Sequence, residues 1–225
     1  MDQVKILEVK ESILGNNDKE AKDLRNLLNK KKVFLLNLMS SPGSGKTSTL
    51  IKLINILKKD FKIGVMEADI DSDVDALTIQ KETGVKAIQL HTGGMCHLDA
   101  SMTFQGLEAI GYEDFDFIIL ENIGNLVCPA EFDTGAQANM TILSIPEGDD
   151  KPSKYPLIFQ VSDLVVINKI DVLPVFDFDV EVCKERIKQD NPKADILLIS
   201  AKTGEGVNEL AFWMKNKICS IKKGE

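Results

Sequence analysis

The sequence predicts an α/β fold in which helices cover both faces of a mostly parallel central sheet. From Val33 onward, short apolar runs alternate with helical patterns, and the runs are apolar on both faces, as buried parallel strands are. The predicted strands are VFLLNLM (33–39), KIGVMEA (62–68), KAIQL (86–90), DFIILE (116–121), MTILSI (140–145), DLVVIN (163–168) and DILLIS (195–200). Such sheets bind ligands beyond the carboxyl ends of their strands, so the residues that follow each strand are the functional candidates.

Helices are predicted between the strands, at 47–59, 98–110 and 180–190. Residues 17–32 place Leu24, Leu27 and Leu28 at helical spacing among charged residues, which predicts an amphipathic helix. We therefore divide the chain into an N-terminal extension, residues 1–32, and one domain, residues 33–225. The helix of the extension is expected to pack on the domain, with a partner-binding arm as the alternative.

Composition excludes several classes of protein. A net charge of -8 over 225 residues argues against a general nucleic-acid binder, which needs a basic face. The N-terminus lacks the pattern of a signal peptide, and no apolar run approaches the roughly 18 residues of a membrane span. The four cysteines form no C-x-x-C pair. We therefore expect a cytoplasmic protein with no membrane association, no nucleic-acid partner and no structural disulfides.

A phosphate-binding loop follows the first predicted strand. In SSPGSGKT (40–47) the residues Gly45, Lys46 and Thr47 fit the pattern G-x-x-x-x-G-K-[ST], while Ser40 stands at the first glycine position. Backbone N–H groups of such a loop surround a phosphate, the lysine adds positive charge and the threonine hydroxyl reaches Mg²⁺. The predicted phosphate-binding residues are Gly43, Ser44, Gly45, Lys46, Thr47 and Ser48. The domain is thus predicted to be a P-loop NTPase.

The base is predicted to be guanine. Asp171 of NKID (168–171) can accept hydrogen bonds from N1–H and the 2-amino group of guanine, a donor pair that adenine lacks. Asn168 can connect the base to the phosphate loop, and the stem of Lys169 can cover the ring. The segment SAK, formed by Ser200, Ala201 and Lys202, follows the next strand, and its Ala201 N–H can bind guanine O6. GTP and GDP are therefore the expected nucleotides.

Carboxylates after two strands predict a Mg²⁺ site. EADIDSDVDA places aspartates at 69, 71, 73 and 75 beside the phosphate loop. We expect Asp69 to be the outer-shell partner of Mg²⁺ and Asp75 to place the attacking water, and we assign Asp71 and Asp73 to a solvated loop. Glu121 ends a buried strand, where a charge is costly unless it is paired or near a metal, so it is predicted on the Mg²⁺ side with Thr47. Gly124 offers a flexible switch near the γ-phosphate.

A second metal site is suggested by Cys96, His97 and Cys128. The loops that carry them leave the same edge of the predicted sheet, and thiolate with imidazole suits Zn²⁺, Ni²⁺ or Cu rather than Mg²⁺. Three ligands are one short of a closed tetrahedral site, so water, another group or a second copy of the chain would complete it. Buried cysteines beside a surface histidine are the alternative interpretation of the same spacing.

Five segments together resemble one known family, the hydrogenase nickel-incorporation GTPases, HypB, of the SIMIBI class. They are CHLDA (96–100), ENIGNLVCPAEFDTG (121–135), EGDDKPSKYP (147–156), NKID and SAKTGEG (200–206). The resemblance implies a GTPase that forms a GTP-dependent homodimer and passes nickel toward the hydrogenase large subunit with the zinc-containing partner HypA. It also implies that Cys96, His97 and Cys128 bind Ni²⁺ or Zn²⁺ at the dimer interface.

The resemblance assigns further roles, and two alternative functions remain open. Lys154 matches a family lysine that reaches the nucleotide of the partner subunit, and Asp69, Asp75 and Glu121 match acidic positions around Mg²⁺ and the hydrolytic water. Intrinsic hydrolysis is expected to be slow. One rival is a metal-binding chaperone whose GTP site serves only assembly, and another is an accessory GTPase for a different nickel enzyme such as urease.

Overall fold

The sheet is parallel throughout, as the fold class predicted. The computed structural model of the chain describes residues 5–8, 17–69 and 74–224. Eight strands lie in the order β1-β4-β3-β5-β2-β6-β7-β8, and every neighbouring pair is parallel. Their bounds are β1 Lys5–Glu8, β2 Phe34–Ser40, β3 Ile63–Asp69, β4 Lys86–His91, β5 Phe117–Glu121, β6 Ala138–Ser144, β7 Leu164–Asn168 and β8 Asp195–Leu198.

Helices cover both faces of the sheet. Their bounds are α1 Asn17–Lys31, α2 Lys46–Leu57, α3 Val74–Thr83, α4 Ala100–Ile110, α5 Cys128–Glu131, α6 Lys151–Lys154, α7 Pro156–Gln160, α8 Val180–Asp190 and α9 Val207–Lys223. Alternate residues of β2 divide between the two faces. Leu36 and Leu38 pack with α2, α3 and α9, whereas Leu35 packs with α1 and α4. A third apolar cluster joins α7 and α8 to strands β6 and β7.

The first two elements fall in the range 1–32. Helix α1 is the predicted amphipathic helix, and its Leu24 and Leu28 are buried against the domain. Strand β1 pairs with β4 from Lys5 to Glu8, which adds an edge strand to the sheet. The sequence predicts the helix but not this strand, because four residues carry too little periodicity to identify one. Of the helices in the described ranges, none is long and apolar enough to span a membrane.

The carboxyl ends of four central strands place the candidate residues at one edge. The phosphate loop follows β2, Asp69 ends β3, Glu121 ends β5 and Asn168 ends β7. Because the strands are parallel, these ends lie on the same side of the sheet.

Candidate nucleotide and metal sites

The phosphate loop joins β2 to α2 and is held by serine hydroxyls. Ser40, at the first glycine position of the motif, is the fully buried last residue of β2. Its hydroxyl donates to the carbonyl of Ser41 at 2.8 Å and accepts from Ser44 Oγ at 2.7 Å. Lys46 Nζ donates to the same Ser40 oxygen at 3.1 Å. A serine at this position therefore anchors the lysine of the loop.

The two glycines of the loop are required for different reasons. Gly43 and Gly45 have φ angles of 76° and 99°, in the left-handed region that L side chains avoid. A Cβ on Gly45 would lie 2.5 Å from Nδ2 of Asn168, whereas a Cβ on Gly43 would meet nothing within 4 Å. Gly45 thus allows the phosphate loop and the loop after β7 to touch.

Asn168 forms hydrogen bonds to three loops on the side of the site where the base is expected. Its Nδ2 donates to the carbonyl of Ser44 at 2.9 Å, and its Oδ1 accepts from the N–H of Lys169 at 2.7 Å. The same oxygen accepts from the N–H of Ala201 at 3.1 Å. The sequence expects that N–H to bind guanine O6, but here it is paired with Asn168. Lys169 adopts a left-handed φ of 64° and donates from Nζ to the Gly43 carbonyl at 2.6 Å.

Asp171 lies in the pocket expected for the base. The pocket has a volume of about 600 Å³, and its lining includes Ser48, Asn168, Lys169, Asp171, Ala201 and Lys202. Ser200 Oγ donates to Oδ1 of Asp171 at 2.7 Å, while Lys202 Nζ lies 3.9 Å from Oδ2. Ser200 therefore orients the carboxylate that we expect to recognise the base.

A second pocket of about 600 Å³ adjoins the phosphate loop. Lys46, Thr47, Asp69, Asp75, Glu121 and Gly124 line it, together with Glu67, which sequence reasoning missed. The Thr47 hydroxyl donates to Oδ1 of Asp75 at 3.0 Å. A glutamate two residues before Asp69, inside an apolar strand, was the available signal for Glu67.

Glu67, Asp75 and Glu121 form a compact carboxylate group. One oxygen from each lies within 4.8 Å of the others, and within the described ranges no other trio of acidic, His or Cys ligands meets this limit. Asp69 lines the same pocket but is not a member of the trio. This position is compatible with the expected outer-shell role of Asp69, whereas Glu67 is an addition that the sequence did not predict. Asp71 and Asp73 lie outside the described residues.

Burial perturbs two of these carboxyls. Glu67 and Glu121 sit side by side in the register of β3 and β5. Burial, followed by the charge of Glu121, raises the pKa of Glu67 to about 8. Burial raises the pKa of Glu121 to about 7 against the opposing charge of Lys46. Oε2 of Glu67 and both side-chain oxygens of Glu121 have no hydrogen-bond partner. Such orphaned oxygens beside a threonine hydroxyl fit a hard divalent cation such as Mg²⁺.

The transition-metal candidates converge in part. The Cys96 and Cys128 side chains are neighbours, and the nearby Cys128 thiol raises the pKa of Cys96. Asn125 Nδ2 donates to Cys128 Sγ at 3.3 Å. The His97 ring instead stacks on Phe132, with ring centroids 3.7 Å apart and planes 10° apart, and its Nε2 is buried without a partner.

Of the three predicted ligands, the structure therefore places the two thiols side by side and the His97 ring apart from them. Cys96, His97 and Cys128 do not form a trio within 4.8 Å in the part of the chain that the structure describes. The His97 ring stacks on Phe132 instead of joining the two thiols. In this conformation the histidine would have to move to share a metal with both thiols.

Lys154 lies apart from both pockets. It ends helix α6, and its Nζ pairs with Oδ2 of Asp150 at 2.5 Å. Its side chain is 60% exposed. It lines neither of the two pockets described above.

Comparisons with known proteins agree on one family. The profile described as CobW/HypB/UreG, nucleotide-binding domain, matches residues 34–198. The hydrogenase maturation factor HypB of Azotobacter chroococcum mcd 1 is 42% identical over 217 residues, 96% of this chain and 71% of that protein. The hydrogenase/urease maturation factor HypB of Helicobacter pylori (strain J99) is 42% identical, over 95% of this chain and 88% of that protein.

A solved structure gives the same result. The crystal structure of HypB from Helicobacter pylori in complex with nickel superposes with a TM-score of 0.84 at 41% identity. The match covers 92% of this chain and 96% of that one.

Proposed function

This chain belongs to the HypB family of hydrogenase maturation factors, and we propose that it is a GTPase whose nucleotide controls the binding and release of nickel. One observation carries the proposal: the segment Glu121–Cys128 connects the two candidate sites. Glu121 lines the pocket beside the phosphate loop, and a Cβ on Gly124 would lie 3.1 Å from the Pro42 ring of that loop. Cys128 at the far end lies beside Cys96, whose pKa it raises. A change at the γ-phosphate would therefore reach a metal-binding thiol through one short segment.

GTP is the proposed nucleotide. The support comes from Asp171, held by Ser200 in the pocket next to the phosphate loop, since a carboxylate there matches the two guanine donors. Adenine would leave this carboxylate without those hydrogen bonds, at a cost of roughly 1–3 kcal/mol. The phosphates would lie on the N–H groups of Gly43–Ser48, at the start of α2.

Mg²⁺ is the proposed cation of the nucleotide site. Thr47, Glu67, Asp75 and Glu121 would hold it, directly or through water, with Asp69 in the outer shell. When bound, the ion would neutralise charge on the phosphates. A cation would also favour the ionised forms of Glu67 and Glu121, whose pKa values are raised in its absence.

In the proposed hydrolysis, water attacks the γ-phosphorus as the bond to the β–γ bridging oxygen breaks, giving GDP and phosphate. Lys46 stabilises the charge on the phosphate oxygens, and Asp75 orients the water and accepts its proton. Lys154 of a second subunit would add positive charge from outside. Its position at the surface, away from this chain's own pockets, supports action on the nucleotide of a partner.

Nickel, or zinc, is the proposed cargo. Cys96 and Cys128 would supply thiolates and His97 an imidazole, with a second copy of the chain completing the site across a GTP-dependent dimer. The proposed partners are the zinc-containing accessory protein HypA and the hydrogenase large subunit or its maturation complex. The proposed compartment is the cytoplasm, because all four cysteines are free.

Single-turnover hydrolysis of GTP, with and without nickel and HypA, tests this proposal. We expect slow hydrolysis by the chain alone, acceleration by a partner, and loss of activity in Lys154→Ala. No acceleration by either addition would favour the rival chaperone, in which GTP serves assembly alone.

A second candidate function is service to urease as well as to hydrogenase. It is favoured by the Helicobacter pylori relative, whose name includes both enzymes. Deleting the gene and assaying hydrogenase and urease, each with and without added nickel, separates the two. Loss of hydrogenase activity alone would exclude the urease role.

A further inference from the structure

Glu147 connects the phosphate loop to the segment that carries Lys154. Its Oε2 accepts hydrogen bonds from the N–H and the hydroxyl of Ser144, both at 2.7 Å. Its Oε1 accepts a hydrogen bond from the hydroxyl of Ser41, at the start of the phosphate loop. The two oxygens of one carboxylate therefore hold two different loops.

The hydrogen bonds to Ser144 have an ordinary structural explanation, but the hydrogen bond to Ser41 does not. Ser144 and Glu147 form a capping box at the short 3-10 helix Ile145–Glu147, which occupies Oε2. The cap does not need Oε1. That oxygen reaches from the end of β6 to the loop after the neighbouring strand β2, where Ser40 pairs in register with Ile142. The contact with Ser41 is additional to the cap and joins it to the nucleotide site.

The chain beyond Glu147 is firmly held as far as Lys154. Asp149 accepts from Arg186 at 2.5 Å through Oδ1 and from the N–H of Asp179 at 2.8 Å through Oδ2. The same guanidinium donates to the Asp149 carbonyl at 2.8 Å. Asp150 then pairs with Lys154 across helix α6. The segment that joins Glu147 to Lys154 is therefore short and is held at Asp149 and Asp150.

We propose that Glu147 is a positioning residue that fixes Lys154 relative to the phosphate loop of its own chain. A loop that closes on nucleotide would hold Ser41, and Ser41 would hold Glu147 and the segment Gly148–Lys154. Nucleotide bound to a subunit would then stabilise the arrangement in which that subunit presents Lys154 to a partner. This inference rests on the proposed function, in which Lys154 acts on the nucleotide of the second subunit.

Two serine variants separate this role from simple capping. Ser41→Ala removes the hydrogen bond between Glu147 and the phosphate loop and leaves the cap intact. Ser144→Ala removes a different hydroxyl donor to the Glu147 carboxylate and leaves the bond to Ser41. Glu147→Ala removes both the link to Ser41 and the cap. All are compared with the unmodified chain at saturating GDP and at saturating non-hydrolysable GTP analogue. Every variant is then fully occupied, so a change in nucleotide affinity does not affect the comparison. Thermal unfolding of each variant checks that it is folded.

The first measurement is amide hydrogen exchange of residues 148–155 with and without nucleotide. We expect nucleotide to protect this segment in the unmodified chain and in Ser144→Ala, and to have little effect on it in Ser41→Ala and Glu147→Ala. An unchanged response in Ser41→Ala, or equal losses in the two serine variants, would overturn the inference.

The second measurement is the dissociation constant of the dimer formed with the GTP analogue. In Ser41→Ala we expect it to rise roughly ten- to hundredfold, the range for losing one hydrogen bond to a charged acceptor, with no such rise in Ser144→Ala. An equal rise in both variants would show that Glu147 acts only as a cap of the 3-10 helix. If the unmodified chain shows the exchange response but neither dimerises nor hydrolyses GTP, the proposed function fails while the link between Glu147 and the loop stands.

Discussion

Replacing Gly45 and Gly43 separately by alanine tests whether the phosphate loop and the base loop depend on direct contact. Both glycines have left-handed φ angles, so each alanine incurs the same kind of backbone strain. Only at Gly45 would the new Cβ collide, because it would lie 2.5 Å from Asn168 Nδ2. The Gly43 variant is therefore the matched control.

The size of the difference follows from the contacts of Asn168. Left-handed backbone costs an L residue roughly 1–2 kcal/mol, which we expect for Gly43→Ala. Gly45→Ala adds the displacement of Asn168, which bonds to the Ser44 carbonyl at 2.9 Å and to the Ala201 N–H at 3.1 Å. At about 1 kcal/mol for each hydrogen bond, the total for Gly45→Ala is about 3–4 kcal/mol. A domain of ordinary stability stays folded after such a loss.

Denaturant unfolding of the nucleotide-free chain measures both variants. The expected result is a free energy of unfolding about 2 kcal/mol lower for Gly45→Ala than for Gly43→Ala, with a larger loss of GDP affinity as well. Equal stabilities, or a greater loss in Gly43→Ala, would refute the claim that Asn168 holds the two loops together.

Three further predictions concern the base, the thiols and the buried carboxyls. Asp171→Asn should shift nucleotide preference from GTP toward xanthosine triphosphate by at least about tenfold in a binding competition, because the amide can donate to the xanthine 2-oxo group; retained GTP preference would contradict this role of Asp171. Cys128→Ser should weaken nickel binding in an equilibrium titration while GDP affinity stays unchanged, with Cys219→Ser as the control, and unaltered nickel affinity would place the site elsewhere. Burial raises the pKa values of Glu67 and Glu121, so the folded chain binds more protons than the unfolded chain. Without Mg²⁺, the free energy of unfolding should therefore fall as pH rises from about 4.5 to about 8, by an amount on the order of a few kcal/mol. Glu67→Gln should make this pH dependence weaker. A free energy of unfolding that stays level or rises over this window would contradict the raised pKa values of the pair.

The parts of the fold that the sequence predicted are those with local signals. Buried strands are continuous apolar runs, and the loop from Ser40 to Thr47 follows one of them directly, so its place at the sheet edge is fixed by parallel topology. NKID and SAK follow their strands in the same way. These segments need no knowledge of distant contacts to be placed.

The parts that the sequence missed depend on contacts between distant residues. Glu67 lies inside a strand and becomes notable only because β5 places Glu121 beside it. The Glu147–Ser41 contact joins residues 106 positions apart, and no local pattern encodes it. Stacking of His97 on Phe132 likewise depends on the path of the loop after β5, which spacing alone does not determine.

A nickel titration in the presence of GDP and of a non-hydrolysable GTP analogue, with oligomeric state followed by light scattering, tests the central claim most directly. If the segment Glu121–Cys128 links the two sites, nickel affinity must differ between the two nucleotides, and nickel must change their affinities by the same factor. We expect the GTP analogue to produce a dimer whose nickel affinity differs from that of the GDP-bound chain. Identical nickel affinity and identical oligomeric state with both nucleotides would contradict the account.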